Sequence, residues 1–350
     1  MTTRLAFITD IHHGRDTATK KGSAALALLD EFRRFANDAR VDAVIDMGDR
    51  ISDENRDSDL GLEREVAEVF ASFDLPRFHI VGNHDRDFLS VADNEEIFGQ
   101  DLTHRCIDLG SWRIAFWQAD SRIRRPGGFV YSEVDAAWLA ATVESADRPL
   151  LVVSHVPVSG HSQVGNYYFE ENPQSATYPE AARLRAILRS AKTPLAWISG
   201  HVHWNTVTKV DGMPHLTLQS LTETFTTGGE AAGTFGLLEL SDRIDWRVVG
   251  KDPFAFAMDT AETLRRWRPP MAPFAKNPAM QERYAKLAAE VELGGHALKP
   301  LISFPALNTS VIASTYPMQT PLATPGASLH LPHKSLPLRK PPQLGGASAS

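Results

Sequence analysis

Through its first 250 residues the chain alternates between short apolar runs and stretches in which apolar side chains recur every three or four positions. The runs RLAFITD (4–10), VDAVIDMGD (41–49) and RFHIVGNHD (77–85) read as buried strands that stop in polar residues. Between them, Ser23 to Ala39 and Leu60 to Phe73 carry helical spacing, as in AALALLDEFRRFA. The rhythm continues with WRIAFWQAD (112–120), a helix near 132–146, PLLVVSH (149–155), a helix near 179–190 and LAWISGHVH (195–203). Repetition of strand, helix and strand covers a largely buried sheet with helices. MPHLTLQSL (213–221), GTFGLLELSD (233–242) and RIDWRVVG (243–250) then follow without helices between them. A mixed sheet or a two-sheet sandwich fits this order better than an all-parallel sheet.

The pattern weakens after residue 250. One helix is expected at 259–267 and another at 279–292, after which periodicity is lost. Residues 316–350 contain seven prolines and end in glycine and serine, with no acidic residue after Glu292. The division expected is a main domain over 1–250, a helical appendage over 251–315 and a proline-rich extended arm or disordered tail over 316–350. Such an arm suits contact with a second copy of the chain, so a homo-oligomer is an expectation.

Composition narrows the chemistry. At 350 residues with 43% hydrophobic and 23% charged content, the chain can bury a full-sized core. A net charge of −7 gives no reason to expect nucleic acid as a stable partner. One cysteine, Cys106, excludes an internal disulfide and a cysteine-based zinc framework, while thirteen histidines favour imidazole and carboxylate ligands. The N-terminus lacks the apolar core of a signal peptide and no run reaches membrane-spanning length, so a cytoplasmic location away from membranes is expected.

The polar strand ends are where the chemistry collects. They read Asp10-Ile11-His12, Gly48-Asp49, Gly82-Asn83-His84-Asp85, Ser154-His155 and Gly200-His201-Val202-His203. Ligands gather beyond the carboxyl ends of strands in α/β proteins, so residues far apart in sequence can share one pocket. Two carboxylates, an amide and four imidazoles suit two divalent cations better than one. In Asp-x-His, alternate side chains can grip one ion, and Asp49 is the natural bridge between two. Taken singly, each piece has a bland reading: a hydrogen-bonded histidine, a Gly-Asp turn, an Asn-His-Asp helix cap. Five in order after apolar runs do not.

The series resembles the calcineurin-like metallophosphoesterases, whose motifs run D-x-H, G-D, G-N-H-D/E, H and G-H-x-H. The resemblance covers about residues 4 to 250 and leaves out the C-terminal hundred. It implies an α/β fold, a four-layer αββα sandwich of two mixed β-sheets flanked by helices, here with a C-terminal appendage and extended arm. It also implies that Asp10, His12, Asp49 and His203 bind one metal and that Asp49, Asn83, His155 and His201 bind a second. The metals implied are manganese, iron or zinc. His84 would face the substrate as hydrogen-bond donor or acid, with Asp85 orienting it. GDRISDENRDSD lacks the G-D-x-x-D-R-G form of the protein serine/threonine phosphatases, since Ser52 and Asp53 stand there. The pattern is more similar to small-molecule phosphodiesterases acting on cyclic nucleotides or glycerophosphodiesters.

The function expected is dimetal-dependent hydrolysis of a small phosphodiester by metal-activated water. A phosphomonoesterase or nucleotide-diphosphate pyrophosphatase is the alternative, and a metal-dependent scaffold the non-enzyme one. Candidate substrate contacts are Asn83, His84, Arg50 and, from the loop GHSQVGNYYFEENP (160–173), His161, Asn166 and Tyr167, with Tyr168 beside them. Arg50 has the competing reading of a salt bridge. His13 is expected to be structural, and Ser154 has no G-x-S-x-G elbow around it.

Overall fold

The computed structural model describes residues 2–125, 127–158 and 163–293. Twelve strands within them form two six-stranded mixed sheets. The first contains β1 (Thr3–Ile8), β2 (Ala43–Asp46), β3 (Arg77–His79), β10 (Phe235–Leu240), β11 (Arg243–Val249) and β12 (Phe254–Asp259), in the order β12-β11-β10-β1-β2-β3. The second contains β4 (Arg105–Leu109), β5 (Trp112–Phe116), β6 (Leu150–Ser154), β7 (Leu195–Ser199), β8 (Thr206–Val210) and β9 (Met213–Thr217), in the order β4-β5-β6-β7-β9-β8. The first is parallel over β1-β2-β3, which ends at one edge, and antiparallel through β10, β11 and β12 to the other, whereas the second has a parallel centre, β5-β6-β7-β9, with antiparallel β4 and β8 at its edges.

Alternation along β1 explains the layering. Leu5 and Phe7 face the second sheet, packing with Ile45, Ile114, Leu151, Ile198 and Trp246. Ala6 and Ile8 face the other way, onto Leu29, Phe32, Val66 and Phe70. Those four belong to α1 (Ala25–Asp38) and α2 (Arg56–Ala71), whose buried positions recur at spacings of three and four. On the far side, α4 (Glu133–Glu144) and α5 (Ala181–Arg189) cover the second sheet with Leu139, Val143, Leu184 and Leu188. The result is the four-layer αββα sandwich. α4 starts on a capping box: the Ser132 hydroxyl accepts the Asp135 N–H at 3.1 Å and the Asp135 carboxylate accepts the Ser132 N–H at 2.6 Å.

Several elements depart from the expected pattern. β4, β8 and the short α3 (Val91–Phe98) add to the runs anticipated. The expected helix at 259–267 is a single 3-10 turn, Thr260–Leu264, preceded by β12. Phe254, Phe256 and Met258 pack on the inter-sheet core from alternate positions, which is a strand's periodicity. The first compact unit runs to Pro270, and β12, which falls within the appendage expected over 251–315, pairs with β11 in the first sheet. Within the second unit, α6 (Pro278–Leu293) is the described helix. Residues 294–315 and the arm expected over 316–350 lie outside the described residues. No helix among the described residues is long and apolar enough to cross a membrane.

Trp246 is fully buried between the sheets, edge-on to Phe7 with ring centroids 5.8 Å apart. Trp246→Ala is expected to lower unfolding stability by about 3–5 kcal/mol in urea titrations. A loss below about 1 kcal/mol would mean that the inter-sheet core does not hold the sandwich together as described.

Candidate metal centre

All five polar strand ends meet at one edge of the sandwich. The segments after β1 and β2 run side by side, with Asp10 N–H donating to the Gly48 carbonyl (2.8 Å) and His12 N–H to the Asp49 carbonyl (3.0 Å). Asp10, His12, Asp49, His201 and His203 all have positive φ, between 48° and 68°. For a residue with a Cβ this left-handed backbone costs roughly 1–2 kcal/mol. It turns each side chain back towards the common centre. Two motif glycines serve close approach: a Cβ on Gly82 would run into the Asp49 carboxylate, and one on Gly200 into Thr9 and Asp10.

Two clusters result. Asp10, His12, Asp49 and His203 form one, and Asp49, His155 and His201 the other; within each, one ligand atom per residue lies within 4.8 Å of the rest. Asp49 is common to both. Each carboxylate has one oxygen committed and one aimed inward. Asp10 Oδ2 accepts from the Thr9 hydroxyl (2.6 Å) and the His201 N–H (2.9 Å), whereas buried Oδ1 has no hydrogen-bond partner. Asp49 Oδ1 accepts the His84 N–H at 2.8 Å, and Oδ2 lies 3.3 Å from His155 Nε2. Asn83 brings its Oδ1 to 3.2 Å from His155 Nε2.

The imidazoles are oriented from behind. His155 Nδ1 donates to the Met47 carbonyl (2.8 Å), His201 Nε2 to the Ser175 carbonyl (2.8 Å), His12 Nδ1 to the Ile51 carbonyl (3.3 Å) and His203 Nδ1 to the Glu223 carboxylate (2.7 Å). That leaves Nε2 of His12, His155 and His203, and Nδ1 of His201, for the centre. His12 Nε2 and His203 Nε2 face each other at 2.9 Å, beside the unpartnered Asp10 oxygen. Lone pairs converging in this way fit divalent cations held by nitrogen and oxygen.

Burial and neighbouring charge divide the four histidines. Burial lowers His201 to about 4, helped by His155, and it drives His12 well below its ordinary range with help from Lys20 and His203. Burial also opposes protonation of His155 and His203. There, however, Asp49 and Asp10 respectively outweigh it and raise each to about 9.

The other expected site residues fall differently. Arg50 is fully buried and does not reach the cleft. Its guanidinium donates to Asp46 (3.0 Å), Glu63 (3.0 Å), the Ile80 carbonyl (2.8 Å) and Asn94 (2.6 Å), with Asp85 at 3.3 Å. The expectation of a substrate contact is thereby corrected. Asp85 is likewise not the partner of the His84 ring. Its carboxylate accepts the N–H groups of Asp49 (2.9 Å), Arg50 (2.7 Å) and Gly82 (2.8 Å), so it pins the turn that carries Asp49. The carboxylate that holds His84 Nδ1 is Asp53. Asn166 is buried with both amide ends used, donating to the Val202 carbonyl (2.8 Å) and accepting from Tyr168 and Phe169 N–H (2.9 and 3.1 Å). Tyr167 is exposed and stacks on Phe225, while its neighbour Tyr168 lines the cleft. His161 lies outside the described residues. His13 pairs with Glu65 at 2.7 Å, and the Ser154 hydroxyl donates to the Val156 carbonyl.

The centre opens into a cleft of about 730 Å³ lined by Asp49, Asn83, His84, His201 and His203 together with Lys20, Asp87, Ile123, Arg125, Tyr168 and Phe169. Asp53, Glu223 and Lys20 are neighbours of the centre that sequence reasoning missed. Only Asp53 had a signal, four residues after Asp49 in GDRISD.

The sequence model of the calcineurin-like phosphoesterases matches residues 3–205, more than half of the chain, and the chain belongs to that family of dimetal-dependent enzymes. Among solved structures, it is similar to a dimetal phosphatase from Danio rerio, with 17% sequence identity and a TM-score of 0.61, covering 74% of this chain and 99% of that one. The overlap with Yfce, a phosphoesterase from E. coli, has 11% identity and a TM-score of 0.38 over 74% of this chain and 100% of that one. The first likeness shows the shared fold. No curated protein sequence matches this one.

Two outcomes follow from this geometry. Arg50→Met leaves Asp46, Glu63 and Asp85 without their buried cation, and unfolding stability should fall by about 3–5 kcal/mol; an unchanged urea midpoint would contradict the network. His155 and His203, each raised to about 9, carry protons at pH 6–8 that a cation must displace. Apparent Mn²⁺ affinity should therefore rise with pH across that window, by up to about tenfold per unit for each proton displaced, and level off above the raised values. Binding that is independent of pH from 6 to 8 would show that these two imidazoles carry no proton that a cation must displace.

Proposed function

We propose that the protein is a metal-dependent phosphodiesterase acting on a small phosphorylated molecule. The observation that carries this reading is the pair of clusters sharing Asp49, with His84 beside them at the base of the cleft. Two cations held there, manganese, iron or zinc by the family resemblance, would supply Lewis-acid stabilisation of phosphoryl charge and make water nucleophilic at neutral pH.

The chain's own groups do the rest. Asp49 holds the two clusters in register through one oxygen while the His84 N–H fixes the other. Asn83 adds an amide oxygen on the His155 side. His84, with Nδ1 engaged by Asp53, has Nε2 to offer a phosphoryl oxygen or a departing alkoxide. Burial opposes the charge on Asp53, yet His84 keeps its carboxyl below the ordinary range, so an anionic partner stands behind the ring. Support for a diester comes from the size of the cleft and from Ile123, Tyr168 and Phe169 on its walls, which give two ester substituents room and apolar contact. Lys20 and Arg125 in the same cleft favour the second reading, a more highly charged monoester or diphosphate.

The test is turnover of bis(p-nitrophenyl) phosphate against p-nitrophenyl phosphate by Mn²⁺-reconstituted protein. The diester should be cleaved faster. Asp49→Asn should abolish turnover, and His84→Ala should cut kcat by about 10²–10⁴-fold. Preference for the monoester would replace the first reading by the second, and absence of turnover with Mn²⁺, Fe²⁺ or Zn²⁺ would favour a scaffold.

A further inference from the structure

Lys20 sits on a short loop fastened at several points. Its N–H donates to the Thr17 carbonyl at 2.7 Å, and Thr17 N–H returns the bond at 3.0 Å. Lys21 N–H donates to the Thr222 carbonyl, and the Thr224 hydroxyl to the Thr19 carbonyl at 2.6 Å. The Thr19 hydroxyl meets the Tyr168 hydroxyl at 2.5 Å. A long cationic side chain is thereby held at the cleft wall rather than in bulk water.

The ammonium has no settled acceptor there. Its one hydrogen-bond neighbour among the described residues is His12 Nδ1, at 3.5 Å. That nitrogen faces the Ile51 carbonyl, which can only accept, so it must carry the ring proton if Nε2 is to bind a cation. A nitrogen that donates to a carbonyl cannot also accept from an ammonium. The surrounding carboxylates are committed elsewhere, and none forms an ion pair with Lys20 among the described residues. Asp53 holds His84; Glu223 holds His203 and accepts the Thr224 N–H at 2.8 Å; Asp10 and Asp49 belong to the clusters. A fixed, partly buried cation in this position lacks an anionic oxygen from outside the chain.

We propose that Lys20 is a substrate-binding residue that donates to a non-bridging phosphoryl oxygen, giving the site an anion anchor besides the cations. The inference rests on the phosphoester reading of the same centre. It makes Lys20 a determinant of charge preference: substrates whose phosphoryl group keeps more free anionic oxygen gain more from it.

The test uses full-length protein loaded with Mn²⁺, its metal content measured, and inorganic phosphate titrated calorimetrically. Phosphate should bind the wild type, and Lys20→Met should weaken it by about 10- to 100-fold at equal metal content, the worth of one charge-assisted hydrogen bond. Lys20→Arg should recover most of the affinity. Wild-type protein that binds no phosphate, or Lys20→Met that binds it undiminished, overturns the assignment. Loss of metal from both Lys20→Met and Lys20→Gln also overturns it, in favour of a structural role. Ester turnover recorded in parallel separates the two readings. Phosphate binding that depends on Lys20 without hydrolysis sinks the phosphodiesterase alone, and hydrolysis with phosphate affinity and KM indifferent to Lys20 sinks the anchor alone.

Discussion

Two buried carboxylates, Asp10 and Asp49, set the terms for everything around them. A charge with no solvent must be met by other charges or by hydrogen-bond donors. The chain meets these two with imidazoles, backbone N–H groups and a hydroxyl drawn from strands of both sheets. Bringing those donors together demands left-handed backbone at five of the participating residues, and room where Gly82 and Gly200 pass close by. Such conformations persist only where the surroundings over-determine them. Here the over-determination comes from Asp85, which gathers three N–H groups, and from Arg50, which ties that turn to α2 and α3.

The centre is therefore two shells of opposite character. The inner one presents lone pairs. The outer one, Glu223, Asp53 and the carbonyls of Met47, Ile51 and Ser175, presents acceptors to the far side of each ring and so decides which nitrogen faces inward. Within the inner shell, burial and the nearness of a carboxylate separate two neutral imidazoles, His12 and His201, from two, His155 and His203, whose protons compensate Asp49 and Asp10 until a cation takes over that task.

Much of this was legible from residue order. Strand ends announce themselves by an apolar run that stops in Asp, Asn or His, and the topology of an α/β sandwich brings such ends together. The alternation of strands and helices followed from the same periodicity, and the four layers from the family resemblance. What stayed hidden was whatever depends on which way a side chain turns after the strand has ended. Arg50 and Asp49 are neighbours in sequence, yet one enters a buried carboxylate nest and the other the centre. Tyr167 and Tyr168 divide between solvent and cleft in the same way. The family resemblance implied Asp85 as the partner of His84, while Asp53 reaches that ring from another loop. Glu223 and Lys20 sit in segments without periodicity, and only the tertiary contacts reveal them. β12 was left outside the main domain, whose boundary was drawn at residue 250, because FAFAM is too short an alternating run to announce a strand by spacing alone.

The donor set of the first cluster also has a mechanical meaning. Asp10, His12 and Asp49 hang from β1 and β2, and His203 hangs from β7, so the ligands belong to opposite sheets of the sandwich. A cation held by all four is a rivet between two layers that are otherwise joined at this edge by loops. Its binding energy then enters the folding equilibrium, because the unfolded chain cannot assemble the four groups. Free-metal concentration becomes a variable of unfolding as well as of catalysis. A chelator would then act on this fold as a mild denaturant.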